Sequence, residues 1–372
     1  MNWTGCKNIL VIRADNLGDL LMSTPAIRAL KESFNAQITV LTSTLAAGIA
    51  ESIPEISRVI TYDLPWVKTA QEFDPENFHQ VIKTLEDSKF DAAVVFSVYS
   101  QNPLPAAMLA YLAKIPRRLA YCRENPYQLL TNWIPDKEPY SFIRHQVRRD
   151  LDLVAAVGAM TSNEQLSLTI EPEKEIIVRK KLQSMGIDPQ IPWLILHPGV
   201  SEEKRKYPVK HWIETGTKII RTLGYQVLLT GTDSEKALTN EIQAGIGKGA
   251  FSVSGAFNLP EFIALNHLAP LVISVNTGTI HIAAATGTPV IVLYALTNPQ
   301  HSPWKTRGKV LPFDVPENLR SKNEIIRHVH EKLFIQKMKM ALPEEILSAA
   351  QDLLNNGNQE MIPELIPLRS GD

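Results

Sequence analysis

With 372 residues, 44% of them hydrophobic and 21% charged, the chain has enough apolar material for two packed cores and no room for a large disordered fraction. A formal net charge of -1 excludes the broad basic field that gathers nucleic acid by counterion release. Two isolated cysteines, Cys6 and Cys122, are too few for a disulfide framework or a zinc centre and point to a reducing, cytoplasmic compartment.

The N-terminal sequence runs through a short apolar stretch straight into charge, as a first buried strand does and a signal peptide does not. Short β-branched runs at Asn8 to Arg13, Ile38 to Thr42 and Ala92 to Ser97 predict strands, with amphipathic helical patterns between them. Asp19 to Phe34 reads as the first crossover helix, with Gly18 in the tight turn before it. The weakly polar run Leu104 to Ile115 is broken by Lys114 and falls short of the about 20 residues a membrane span requires. After a polar stretch, Glu171 to Lys181, the grammar restarts: Trp193 to Leu196, Gln226 to Thr230, Leu271 to Val275 and Val290 to Tyr294 predict a second set of buried strands. The expected organisation is α/β, with two Rossmann-like doubly wound domains at 1–175 and 176–335. A C-terminal helix and fraying tail at 336–372 are expected to pack back on the first domain.

Chemistry-bearing residues gather where these strands end, as ligands do in open parallel sheets. In the segment from Arg13 to Pro25, Asp15 and Asp19 stand four residues apart around Gly18. Asp19 fits a general base, and equally a helix-start carboxylate complementing the dipole. A lone glycine there excludes the dinucleotide fingerprint, and no P-loop occurs. In the run from Ser274 to Ala285, Asn276, Thr277, Gly278 and Thr279 suit either a pyrophosphate at a helix N-terminus or an ordinary cap. His281 faces a phosphate or sits in the core.

The loop from His197 through Gly199 to Pro208 carries Lys204, Arg205 and Lys206. These would stabilise a departing diphosphate, or are simply solvated. Gly231 ends another strand, and Asp233 or Glu235 beyond it reads as a ribose contact or a helix-start carboxylate. The loop from Thr297 to Trp304 reads as a nucleotide or sugar contact, or as turn chemistry. Asp150 and Asp152 spell D-x-D, but inside a helical pattern residues two apart diverge, so no metal is expected.

The run Ile9-Leu-Val-Ile-Arg13, with Gly18, Asp19, Pro25 and Leu30 following, resembles glycosyltransferase family 9, the lipopolysaccharide heptosyltransferases. So do His197-Pro-Gly199, the stretch from Ser274 to Ala284 and the run from His145 to Gly158. The resemblance extends from Asn8 to about Lys309. It implies a GT-B fold with two Rossmann-like domains facing an interdomain cleft. It also implies inverting, metal-independent transfer of a heptose from a nucleotide-diphosphate donor, ADP-linked in the family, to a lipopolysaccharide-core or other glycan hydroxyl. Asp19 matches the base, Arg205 and Lys206 a phosphate-charge motif, Glu235 a ribose contact, and Thr277 to Thr279 the diphosphate turn. Asn276 stands where the family commonly has Asp, exchanging a carboxylate for a neutral amide. Acceptor contacts are expected from the loops Pro65 to Asp74 and Gln101 to Pro105. A cytoplasmic monomer with no cofactor, in peripheral contact with the inner membrane, completes the expectation.

Two other functions fit the same fold. A sugar-nucleotide epimerase would show no acceptor dependence. A non-catalytic nucleotide-sugar or glycan binder, suggested by Asn276, would need neither Asp19 as a base nor the cationic loop.

Overall fold

The computed structural model describes residues 3–67, 74–335, 338–355, 360–366 and 368–369. The central part of the Pro65 to Asp74 loop, residues 68–73, lies outside them. The chain divides into two compact units, Met1–Thr169 and Ile170–Asp372.

In the first unit, β1 (Asn8–Ile12), β2 (Gln37–Thr42), β3 (Arg58–Thr61), β4 (Ala92–Val95), β5 (Arg117–Cys122) and β6 (Asn132–Pro135) form one parallel sheet in the order β3-β2-β1-β4-β5-β6. The central strands are apolar on both faces because helices cover both: α1 (Leu17–Met22), α2 (Thr24–Phe34), α3 (Thr44–Ala50), α4 (Pro75–Asp87), α5 (Leu104–Leu112) and α6 (Gln146–Ala155). The strand order reverses between β1 and β4, which makes their carboxyl ends the switch point where such sheets bind ligands.

The helix expected from Asp19 to Phe34 is two helices. Helix α1 already includes Gly18 and follows an N-cap at Asn16, and the break falls at Ser23. Pro25 has no N–H for the Leu21 carbonyl, which accepts instead from Thr24 Oγ1 at 2.7 Å.

The second unit repeats the plan. Strands β7 (Trp193–His197), β8 (Gln226–Leu229), β9 (Ala250–Ser252), β10 (Val272–Val275), β11 (Val290–Ala295) and β12 (Gly308–Phe313) run in the order β12-β11-β10-β7-β8-β9. Its helices are α7 (Pro172–Ser184), α8 (Val209–Leu223), α9 (Lys236–Ile246), α10 (Leu259–Leu268), α11 (Gly278–Thr286), α12 (Glu324–His328) and α13 (Pro343–Asn355). The switch point here lies between β7 and β10.

The C-terminal segment, read as a fraying tail returning to the first domain, is instead built into the second unit. Ala341, Ile346, Ala349, Ala350 and Leu353 join the core containing Trp212 and Tyr207. Ile362 and Ile366 are buried, and the Ile362 N–H donates to the Thr306 carbonyl. Four apolar residues on one face of α13 are enough to hold the helix on α8. Among the described residues, no helix is long and apolar enough to cross a membrane.

Candidate functional site

In the first unit, Arg13 follows β1 directly and its guanidinium is fully buried. Its Nε lies 3.4 Å from Asp15 Oδ2 and its Nη2 3.3 Å from Asp19 Oδ1. Gln101, in the loop after β4, donates from Nε2 to Asp15 Oδ1 at 2.6 Å. The other Asp19 oxygen, Oδ2, accepts from the Asn16 N–H at 3.3 Å, so Asp19 closes a capping box as the third residue of α1. The helix-start reading of Asp19 therefore holds, and it fixes a carboxylate at the switch point, where a base would stand. The Asp19 side chain keeps 12% of its surface exposed while Arg13 keeps none. Burial pushes the Asp15 carboxyl up from its usual range and the Asp19 charge adds to that, while Arg13 opposes it.

Beneath this pair, Asp150 of α6 is buried, with Ser23 Oγ 2.8 Å from its Oδ2 and Gln146 Nε2 donating to its Oδ1 at 2.8 Å. Burial pushes its pKa up to about 6, against the pull of Arg13. Asp152 turns the other way, to Arg144 at 2.5 Å. The D-x-D carboxylates thus diverge.

In the second unit the turn after β10 leads into α11 with Thr277 as N-cap and Gly278 and Thr279 in the first turn. Asn276 is buried and spends its amide on the neighbouring strand end. Its Oδ1 accepts from the Ala295 N–H at 3.1 Å, and its Nδ2 donates to the Ala295 carbonyl and Thr297 Oγ1, each at 3.3 Å. A carboxylate could not make the donations, so Asn276 is a staple between β10 and β11 and its amide is not turned to a ligand. The loop from Thr297 to Trp304 is likewise tied inward, with Trp304 fully buried.

Arg205 brings the cationic loop to this turn: its Nη1 donates to the Asn276 carbonyl at 3.0 Å, and Nη2 pairs with Glu202 at 3.0 Å. Lys204 pairs with Glu202 and Lys206 with Glu203, the latter pair more than half exposed. Of the three cations, Arg205 is the one the structure carries to the α11 turn. Among the described residues, Thr277 Oγ1 and Arg205 Nε are buried without a hydrogen bond inside the protein, which in a folded chain marks a place for solvent or ligand. His281 and Thr279 are buried within α11.

The neighbouring ends of β7 and β8 form a second group. His197 pairs in register with Ser274 of β10, and its Nδ1 lies 2.9 Å from Thr230 Oγ1. Burial drives its pKa down to about 4, with Glu235 pulling the other way, so the imidazole is neutral. Glu235 Oε2 accepts from the Thr232 N–H at 2.7 Å and from Thr232 Oγ1 at 2.9 Å in a capping box. Its carboxylate lies so close to Gly199 and Gly231 that a Cβ at Gly199 would overlap it and one at Gly231 would crowd it. Glycine at both positions is what admits the carboxylate. Asp233 pairs with Lys236 at the surface.

The expected donor residues thus fall into two adjoining groups on the second unit, with Gly18 on the first beside Asp19 and Lys206 turned to the surface. Sequence reasoning missed the roles of Arg13, Gln101 and Asp150. An arginine closing an apolar strand, with Asp at two and six positions beyond, was a usable signal for the first. Gln101 and Asp150 reach the cluster across 86 and 127 residues, and no local pattern reports such partners.

The sequence model described as glycosyltransferase family 9 (heptosyltransferase) matches residues 78–325. The Asp19 segment lies ahead of that match. Lipooligosaccharide heptosyltransferase 2 of Haemophilus influenzae is 26% identical over 308 residues, covering 80% of this chain and 85% of the relative. Lipopolysaccharide heptosyltransferase 2 of Escherichia coli K12 is 24% identical, covering 79% and 84%. Among solved structures, the family 9 glycosyl transferase of Veillonella parvula superposes with a TM-score of 0.75 at 18% identity, over 95% of this chain and 98% of that one. The Escherichia coli ADP-heptose heptosyltransferase II gives 0.72 at 20% identity, over 93% and 98%. These likenesses give the fold, two Rossmann-like units of the GT-B type, and the match across two thirds of the chain gives the family. The chain belongs to glycosyltransferase family 9 and is a glycosyltransferase of the heptosyltransferase kind.

Proposed function

We propose that the protein transfers a heptose from an ADP-linked donor to a hydroxyl of a lipopolysaccharide-core acceptor, with inversion in one displacement and without a divalent ion. The observation that carries the donor side is the contact of Arg205 with the Asn276 carbonyl, which sets a guanidinium beside the first turn of α11. A diphosphate there would meet helix N–H groups, the Thr277 hydroxyl and one cation, the combination that lowers the energy of a departing nucleotide. Glu235, in its glycine-lined recess, is the proposed ribose contact.

The acceptor side is assigned to the first unit. Asp19 takes the proton from the attacking hydroxyl as the bond to the anomeric carbon forms, and the nucleoside diphosphate leaves with the bonding pair. No metal step is included, because Asp150 and Asp152 point to different partners. The ADP-heptose and lipopolysaccharide assignments rest on the names of the relatives. The family match and the heptosyltransferase relatives favour transfer over the epimerase reading, and the non-catalytic reading loses its motive once Asn276 is a strand staple.

Calorimetric titration with ADP-, GDP- and UDP-linked sugars tests the donor directly. The ADP-linked heptose is expected to bind and to be displaced by ADP. Binding confined to UDP sugars, or to none, contradicts the assignment.

A further inference from the structure

Asp19 is held at two points, Oδ1 by Arg13 and Oδ2 by the Asn16 N–H, so the plane of its carboxylate is set by a residue six positions earlier. Arg13 is in turn held from other elements. Asp15 faces its Nε and is itself pinned by Gln101 from beyond β4, and Asp150 of α6 adds a third negative charge to its field. The Thr42 and Ser43 hydroxyls of the β2 end bind the backbone carbonyls of Arg13 and Asp15, each at 2.7 Å. One carboxylate would suffice to neutralise a buried guanidinium. Two facing adjacent nitrogens of one edge of the fork, Nε and Nη2, with a third nearby, fix its direction as well.

Arginine is the one cation suited to this arrangement. Its rigid fork sets Nε 3.4 Å from Asp15 as an ion pair without a hydrogen bond while Nη2 donates to Asp19, whereas an ammonium is a single point of charge on a flexible stem. We infer that Arg13 is the positioning residue of Asp19: anchored through Asp15 and Gln101, it aims the carboxylate that takes the acceptor's proton. The inference rests on the reading of Asp19 as the base. It makes Gln101, in a loop expected to touch acceptor, a support for catalysis through Asp15.

The test is a double-mutant cycle on the full chain, read by single-turnover transfer and by the KM for the donor. Arg13→Lys keeps the charge and loses the fork. Its transfer rate is expected to fall about 10- to 100-fold, the scale of a misaimed catalytic group, with the donor KM within about twofold. In an Asp19→Asn background the same change should have no further effect, because the two residues act as one unit.

If Arg13→Lys does not fold, Gln101→Leu takes its place, with a loss of about 3- to 10-fold that also vanishes in the Asp19→Asn background. A wild-type rate for the substituted protein, or an equal loss in both backgrounds, overturns the inference and leaves Asp19 as the base. A wild-type rate for Asp19→Asn alone overturns the base assignment and this inference with it.

Discussion

Strands β1 and β7 hold equivalent places in the two sheets, as do β4 and β10, yet the sequence puts opposite chemistry at their ends. The first unit gathers buried formal charge, the Arg13 guanidinium among Asp15, Asp19 and Asp150, with the buried Arg149 also in their field. The second gathers dipoles: a neutral imidazole at His197, the Asn276 amide, hydroxyls and the start of α11, with Arg205 at the edge. A carboxylate cluster repels an anionic diphosphate and suits the removal of a proton. A helix start with an arginine beside it suits the diphosphate. In the proposed reaction one fold serves two tasks because the switch point is set by the backbone while its charge is set by a few strand-end residues.

The contrast breaks most visibly at Asp19. Asp19→Asn is expected to lower kcat by about 10³-fold, within the range of general-base contributions, while leaving donor affinity nearly unchanged. Steady-state kinetics beside calorimetry separates the two, and a parallel loss of affinity would blur the division between units. On the other side, Arg205→Ala should weaken ADP binding about 100-fold by removing a charge-assisted contact, with a much smaller effect on the chemical step. Unchanged calorimetric affinity contradicts that role.

Asp150 sharpens the comparison through pH. Its folded pKa of about 6 lies above the ordinary 3.8, so its favourable contribution is full below 3.8 and lost as pH rises through 6. Asp150→Asn should therefore be more stable than the natural protein at pH 8, by on the order of 3 kcal/mol. The difference should close toward pH 4, and thermal melts across that range measure it. The smallest effect is expected from Asn276→Asp, which removes two donations and sets a carboxylate against the Ala295 carbonyl. A loss of about 1 kcal/mol should appear in the melting temperature. A gain in stability would mean that the amide is not the staple described.

Much of this was legible in the sequence, for physical reasons. Central parallel strands are buried on both faces, so β1, β2, β4, β7, β8, β10 and β11 announce themselves as apolar runs. The strands left unread are short or polar: β3 is a four-residue edge strand opening on Arg58, β5 opens on Arg117 and Arg118, β6 and β12 carry Pro135 and Pro312 at sheet edges, and β9 has three residues. Asp19, Gly199 and the turn at Thr277 were readable because strand-to-helix turns concentrate their chemistry locally. The staple made by Asn276 and the hold of Gln101 on Asp15 were not, since both depend on which strands become neighbours. The break at Ser23 was written in Pro25 and was outweighed by the apolar periodicity across it.

Asp19 is proposed to deprotonate the attacking hydroxyl in a single displacement at the anomeric carbon. The most direct measurement is the anomeric configuration of the transferred sugar, read by NMR from a single turnover of the natural protein and of Asp19→Asn. A single displacement with Asp19 as the base gives a product inverted relative to its donor, formed at a rate that collapses in Asp19→Asn. A product with the donor's configuration, or an Asp19→Asn protein that forms the inverted product at the natural rate, contradicts that mechanism.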